Sequence, residues 1–203
     1  MIGIIDYGVG NLFSLRRSLE YVGAQAVVSG DEAVLRSADK LILPGVGAFG
    51  DAAAKLRATG LDQLVLEEAA AGKPLLGICL GMQLLFEESE EYGLHKGLGL
   101  LPGRVVAMEG RLPAGLPIPH IGWNSLTLTN PACPLFRDTK DGDCVYFVHS
   151  YYAEGCGDAL AATAEYGRDL TATVWRDNVC GCQFHPEKSG PVGLQMLRAF
   201  VEV

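Results

Sequence analysis

Basic residues are scarce in this chain. Lysine and arginine total 16 against 24 aspartates and glutamates, for a formal net charge of −8, and no run gathers them into a patch. That removes the electrostatic footprint a nucleic-acid surface requires. Long apolar runs are missing too: none reaches the roughly 20 residues of a membrane-spanning helix, although 49% of the residues are hydrophobic. The N-terminal MIGIIDYG has no basic stretch ahead of an apolar one, so a cytoplasmic location is expected rather than a secreted one. No repeat, linker or low-complexity segment divides the chain, and one domain over residues 1–203 is expected. The six cysteines do not form a disulfide framework of the kind that staples short secreted chains. They read as reduced thiols, most of them small buried hydrophobes.

What the chain does contain is an alternation of strands and helices. MIGIID, AQAVVS, KLILP and PLLGI are short apolar runs. Between them lie helical patterns such as NLFSLRRSLEYVG, with Leu12, Leu15, Leu19 and Val22 on one face. Asp31 is placed to cap a short helix running to Ala38. LGMQLLFEESEE reads as the helix after the fourth strand. The second half turns strand-rich: LPGRVVAM, WNSLTLT, CVYFVHSYY, LAATAEY, TATVWR and VCGCQF, closed by a C-terminal helix in SGPVGLQMLRAFVEV. The fold class is therefore α/β, with a mixed, mostly parallel central sheet flanked by helices.

Gly77-Ile78-Cys79-Leu80-Gly81 stands between the fourth strand and its helix. It has the form of a nucleophile elbow with cysteine in place of serine. A sulfur at a helix N-terminus is stabilised as thiolate by the macrodipole, and the first backbone N–H groups, starting with Leu80, can hold an oxyanion. Read alone, the pattern equally suits a buried structural cysteine in a tight turn. Gln83 falls one turn later on the same helix face. A base is available in Gln183-Phe184-His185-Pro186-Glu187. Pro186 favours extended backbone before it, which would put Glu187 on the same side as His185 and let the carboxylate orient the imidazole. His149 is the rival base, read rather as a pocket wall, and His95 is expected in solvent.

Gly45-Val46-Gly47-Ala48-Phe49-Gly50 satisfies a dinucleotide-binding spacing. It follows the third strand rather than the first, Pro44 precedes it, and no acid closes a second strand at the required distance. It reads instead as backbone that must approach a ligand. Cys180-x-Cys182 would place two thiols on one strand face, which suits packing better than a metal site.

Taken together, PGVGAFG, GICLGMQLLF and QFHPEKS, in that order, resemble the class I, triad-type glutamine amidotransferases. DYGVGNLFSL at 6–15 and PHIGWN at 119–124 bring the resemblance closer to the branch that feeds ammonia to a (βα)8-barrel cyclase subunit in histidine biosynthesis. The resemblance runs from the first strand to the last helix. It implies glutamine as substrate, a catalytic Cys79, His185 and Glu187, and an oxyanion site from the backbone of Val46, Gly47 and Leu80. It further implies a glutamine pocket lined by Gly47, Gln83, Glu91, Ser150 and Tyr151, with no cofactor and no metal. A docking face for the cyclase is expected at His120, Trp123, Asn124, Tyr146 and Lys188.

Overall fold

The computed structural model describes all 203 residues. Its first half alternates as the periodicity predicts: β1 (Ile2–Ile5), α1 (Leu12–Tyr21), β2 (Ala26–Ser29), α2 (Glu32–Ser37), β3 (Lys40–Leu43), α3 (Phe49–Ala58), α4 (Leu61–Ala70), β4 (Leu75–Ile78) and α5 (Leu80–Leu84). Asp31 caps α2 by accepting from the Val34 N–H at 3.0 Å. The second half contributes β5 (Glu88–Ser89), β6 (His95–Lys96), β7 (Arg104–Ala107), β8 (His120–Ser125), β9 (Thr127–Leu128), β10 (Cys144–His149), β11 (Tyr151–Glu154), β12 (Leu160–Glu165), β13 (Asp169–Arg176), β14 (Val179–Cys182) and α6 (Gly190–Glu202).

Eight strands form one central sheet in the order β2-β1-β3-β4-β14-β13-β12-β9. Pairing is parallel from β2 to β14 and antiparallel from there to β9. Alternation along the strands sends side chains to two layers. In β3, Leu41 and Leu43 pack with Leu56 and Leu64 of α3 and α4, whereas Ile42 packs with Leu15 and Leu19 of α1 and Phe200 of α6. A four-stranded sheet (β11-β7-β5-β6) and a two-stranded ribbon (β10-β8) stand beside the central sheet.

Two expectations fail. The helix after the fourth strand does not run on through FEESEE; it stops at Leu84. The carbonyls of Leu84, Leu85 and Phe86 accept from Leu98, Leu101 and Gly99 at 2.8–3.0 Å instead of from the next helical turn. Gly97 permits this approach, since a Cβ there would lie 2.1 Å from the Phe86 oxygen. The continuous strand read in CVYFVHSYY breaks at Ser150. Residues before it pair with β8 and residues after it with β7.

These features position the site. β3, β4 and β14 are neighbours and parallel, so the loops after their C-terminal ends gather at one edge, where ligands bind in open α/β sheets. Those loops carry Gly45–Gly47, Cys79 and His185.

Candidate active site

Cys79 is the sharpest feature of that edge. Its backbone is at φ +54 and ψ −112, a conformation that costs a non-glycine residue roughly 1–3 kcal/mol. Hydrogen bonds hold it there: its N–H donates to the Cys182 carbonyl at 2.8 Å, and its carbonyl accepts from Gln83 at 3.1 Å. The flanking glycines allow the turn to sit this close to its neighbours. A Cβ on Gly77 would meet the Met82 Cα at 2.7 Å, and one on Gly81 would meet the Leu43 oxygen at 1.8 Å. The sulfur faces a cavity of about 610 Å³. Leu80 opens α5, so its N–H lacks an i−4 helical partner.

His185 lines the same cavity and faces the sulfur. Its Nδ1 is 2.8 Å from Glu187 Oε1, which leaves Nε2 as the nitrogen that can serve Cys79. Burial pulls the imidazole down, but the Cys79 sulfur and the Glu187 carboxylate outweigh it and push it up to about 9. The pairing is as expected, but the path of the chain is not. Pro186–Lys188 is a turn of 3₁₀ helix with proline in its first turn, so a turn rather than extended chain brings the carboxylate back to the ring. His185 is tied to β10 by its N–H to the Tyr146 carbonyl at 3.0 Å, and Ser189 Oγ donates to the His185 carbonyl at 2.6 Å.

Val46, Gly47, Gln83, Glu91, Ser150 and Tyr151 line this cavity together with the two reactive groups. Gly47 sits at φ +98 with open space where a side chain would be. The loop below it is held by Tyr7, whose hydroxyl donates to the Pro44 carbonyl at 2.7 Å. Glu91 has a further task. Its Oε2 accepts from the Phe49 N–H at 2.6 Å, capping α3 where Ala48 has no side chain to do so. Burial raises its carboxyl above the ordinary range, against the Phe49 N–H, which lowers it.

His149 is a wall of the cavity, as read. Burial drives its imidazole down to about 3, and Nδ1 and Nε2 are engaged by the Tyr151 carbonyl at 2.9 Å and by His120 at 3.1 Å. It is no base. His95 is half-buried rather than free in solvent: its ring lies against α3, where a Cβ on Gly50 would come within 2.7 Å of it.

The expected docking residues divide into two sets. Trp123 is 57% exposed and meets Tyr146 edge-on at 6.2 Å between ring centroids; Ile121 is exposed beside it and Lys188 is exposed near the cavity mouth. His120 is a correction. It is only 3% exposed and stacks on Tyr166 at 4.0 Å and on Phe147 at 4.9 Å. Asn124 also turns inward, donating to the Glu165 carbonyl at 2.7 Å. PHIGWN is a strand, so alternation sends His120, Gly122 and Asn124 to one side and Ile121 and Trp123 to the other. That signal was present in the sequence.

The motif reading missed Gln183, Tyr7 and Tyr92. Gln183 is fully buried and its amide reaches Cys79. Tyr92 stands at the cavity rim, edge-on to Tyr151 at 6.5 Å. No helix is long and apolar enough to cross a membrane.

The profile of the family described as "Glutamine amidotransferase class-I" matches residues 3–203. The chain is 52% identical to "Imidazole glycerol phosphate synthase subunit HisH" of Syntrophotalea carbinolica, covering 98% of each chain. It is 51% identical to the protein of the same name from Bacillus subtilis, covering 100% of this chain and 96% of the other. A crystal structure of a glutamine amidotransferase superposes with a TM-score of 0.77 at 21% identity, over 99% of this chain and 97% of that one. The glutaminase domain of Trypanosoma brucei CTPS superposes with a TM-score of 0.67 at 15% identity, over 99% and 93%. At those identities the solved structures speak to the fold, and the full-length relatives speak to the branch. The chain belongs to the class-I glutamine amidotransferase family, within its imidazole glycerol phosphate synthase subunit HisH group.

Proposed function

We propose that this chain hydrolyses glutamine to glutamate and ammonia through Cys79, His185 and Glu187, and passes the ammonia to a (βα)8-barrel cyclase subunit. The cyclase would use it to convert PRFAR to imidazole glycerol phosphate and AICAR in histidine biosynthesis. The observation that carries this reading is a cysteine in strained backbone at a strand-to-helix turn, faced by an imidazole whose far nitrogen a buried carboxylate holds at 2.8 Å.

The chemistry follows from the placement. His185 takes the thiol proton, and Cys79 attacks the side-chain amide carbon of glutamine. The oxyanion is met by the Leu80 N–H and by an N–H of the Val46–Gly47 segment; removing one such donor costs about 10²–10³ in rate. The imidazolium, steadied by Glu187, then protonates the departing ammonia, and water hydrolyses the thioester by the same base. Gly47, Gln83, Glu91, Ser150 and Tyr151 support a glutamine site because they surround the sulfur on the cavity wall. The open surroundings and positive φ of Gly47 let the Val46–Gly47 peptide reorient, so the oxyanion donor can be withheld until a partner docks.

A receiver is required because ammonia released to water near neutral pH becomes ammonium, which is no nucleophile. Trp123, Tyr146 and Lys188 form the docking face in this reading. Cys79→Ala, mixed with a cyclase subunit, is expected to lose glutamine-dependent synthesis and to keep synthesis from added ammonia. Glutamine use surviving that substitution would overturn the assignment.

A further inference from the structure

Gln183 lies outside the machinery just described, yet its amide touches the reacting atom. Nε2 is 3.7 Å from the sulfur of Cys79. What it does there depends on which end of the amide faces the sulfur. A donor favours the thiolate, whereas a lone pair opposes it. The two ends are similar in shape, so the sense comes from the hydrogen-bond partners.

Those partners are set outward from one backbone carbonyl. The oxygen of Tyr151 can only accept, and it takes His149 Nδ1 at 2.9 Å and Gln83 Nε2 at 3.1 Å. Gln83 must therefore present its nitrogen, and the second hydrogen of that nitrogen goes to Gln183 Oε1 at 3.0 Å. Gln183 accepts at that end, so its nitrogen is left for Cys79. The histidines obey the same carbonyl. With Nδ1 protonated, His149 accepts at Nε2 from His120 Nδ1 at 3.1 Å, and His120 Nε2 faces the Asn124 amide at 3.5 Å. Burial holds both rings below the ordinary histidine range, so no extra proton reverses the chain.

We propose that Gln183 is a catalytic residue of glutamine hydrolysis, its amide oriented by Gln83 and the Tyr151 carbonyl so that it donates to the Cys79 sulfur and holds it as thiolate. This rests on Cys79 being the nucleophile. The other titratable groups facing that sulfur are His185, Tyr7 from the loop after β1, and Cys182 from β14. None of the three hydrogen-bonds the Gln183 side chain, whose partners are Gln83 and Cys79.

The test is the pH profile of Cys79 alkylation by iodoacetamide in the full chain, with the modified residue identified by mass spectrometry. Gln183→Met keeps the volume and removes the donor. Gln183→Glu keeps the acceptor for Gln83 and carries no N–H. Both are expected to move the alkylation midpoint up by about one pH unit or more, which is about tenfold less thiolate below it. The value of kcat should fall in proportion, while KM for glutamine changes little. A midpoint unchanged in both variants would overturn the proposal. The wild-type chain supplies a measurement independent of any variant's folding. With ¹⁵N-glutamine labelling, the Gln183 side-chain resonances are expected to move as Cys79 titrates, and resonances that stay still would equally overturn it. The alkylation profile does not depend on turnover. Failure of the nucleophile reading would show separately, as glutamine hydrolysis persisting in Cys79→Ala.

Discussion

His120 Nδ1 donates to His149 Nε2 across 3.1 Å, joining two imidazoles that burial keeps neutral at the cavity wall. His149 sits at about 3, chiefly because burial disfavours its charged form. His185, a neighbour facing the same cavity, is pushed the other way.

Opposite shifts give opposite pH limbs. Unfolding lets His149 return to the ordinary 6.5, so between pH 6.5 and about 3 the unfolded chain binds a proton the folded one refuses. Stability is expected to fall as pH drops through that window, by about 1.4 kcal/mol per pH unit for one full proton. His185 is raised to about 9; its contribution is complete below pH 6.5 and is lost as pH rises through about 9. Urea midpoints from pH 5 to 9.5 are thus expected to peak near 6.5. His149→Gln should make the acid limb shallower, leaving the part that the buried His120 contributes in the same direction, and His185→Gln should flatten the alkaline limb. A wild-type curve rising steadily across the range would contradict both.

Glu187 fixes which nitrogen of His185 meets the sulfur. Glu187→Gln preserves shape and removes the charge. It is expected to lower kcat for glutamine hydrolysis by about 10²-fold with little change in KM, and to move the alkaline limb of stability to lower pH. Steady-state assays of the cyclase-bound chain check the first outcome and urea titrations the second.

Gly81→Ala would drive a Cβ into the Leu43 oxygen at 1.8 Å. Backbone on both sides leaves no soft neighbour to yield, so a loss of about 3 kcal/mol is expected. Chemical denaturation measures it. A variant with wild-type stability would show that the elbow and β3 are not in such close contact.

Trp123 and His120 are three residues apart and should behave differently. Trp123→Ala is expected to leave the free chain within about 0.5 kcal/mol of wild type and to weaken cyclase binding by about 2 kcal/mol or more. His120→Ala removes a ring stacked between Tyr166 and Phe147 and should cost the free chain about 2 kcal/mol. Calorimetric titration beside thermal melts separates the two.

Much of the site can be read along the chain because its parts are local. A cysteine between two glycines at a strand-to-helix turn, a histidine two residues from a glutamate, and an apolar period of 2 or 3.6 are all settled within a few residues. So are β1 to β4, α1 to α4 and the elbow at Cys79. What could not be read there depends on partners far along the chain. α5 stops at Leu84 because residues 98–101 capture its last carbonyls. β10 and β11 separate at Ser150 because each finds a different partner strand. The Glu187 carboxylate reaches His185 through a turn rather than through extended chain. The sense of the Gln183 amide is set by a carbonyl at Tyr151, through Gln83, and no local pattern carries that information. Periodicity and turn chemistry act over one or two turns of chain. A hydrogen bond between residues a hundred positions apart exists only once the sheet has assembled and closed water out around it.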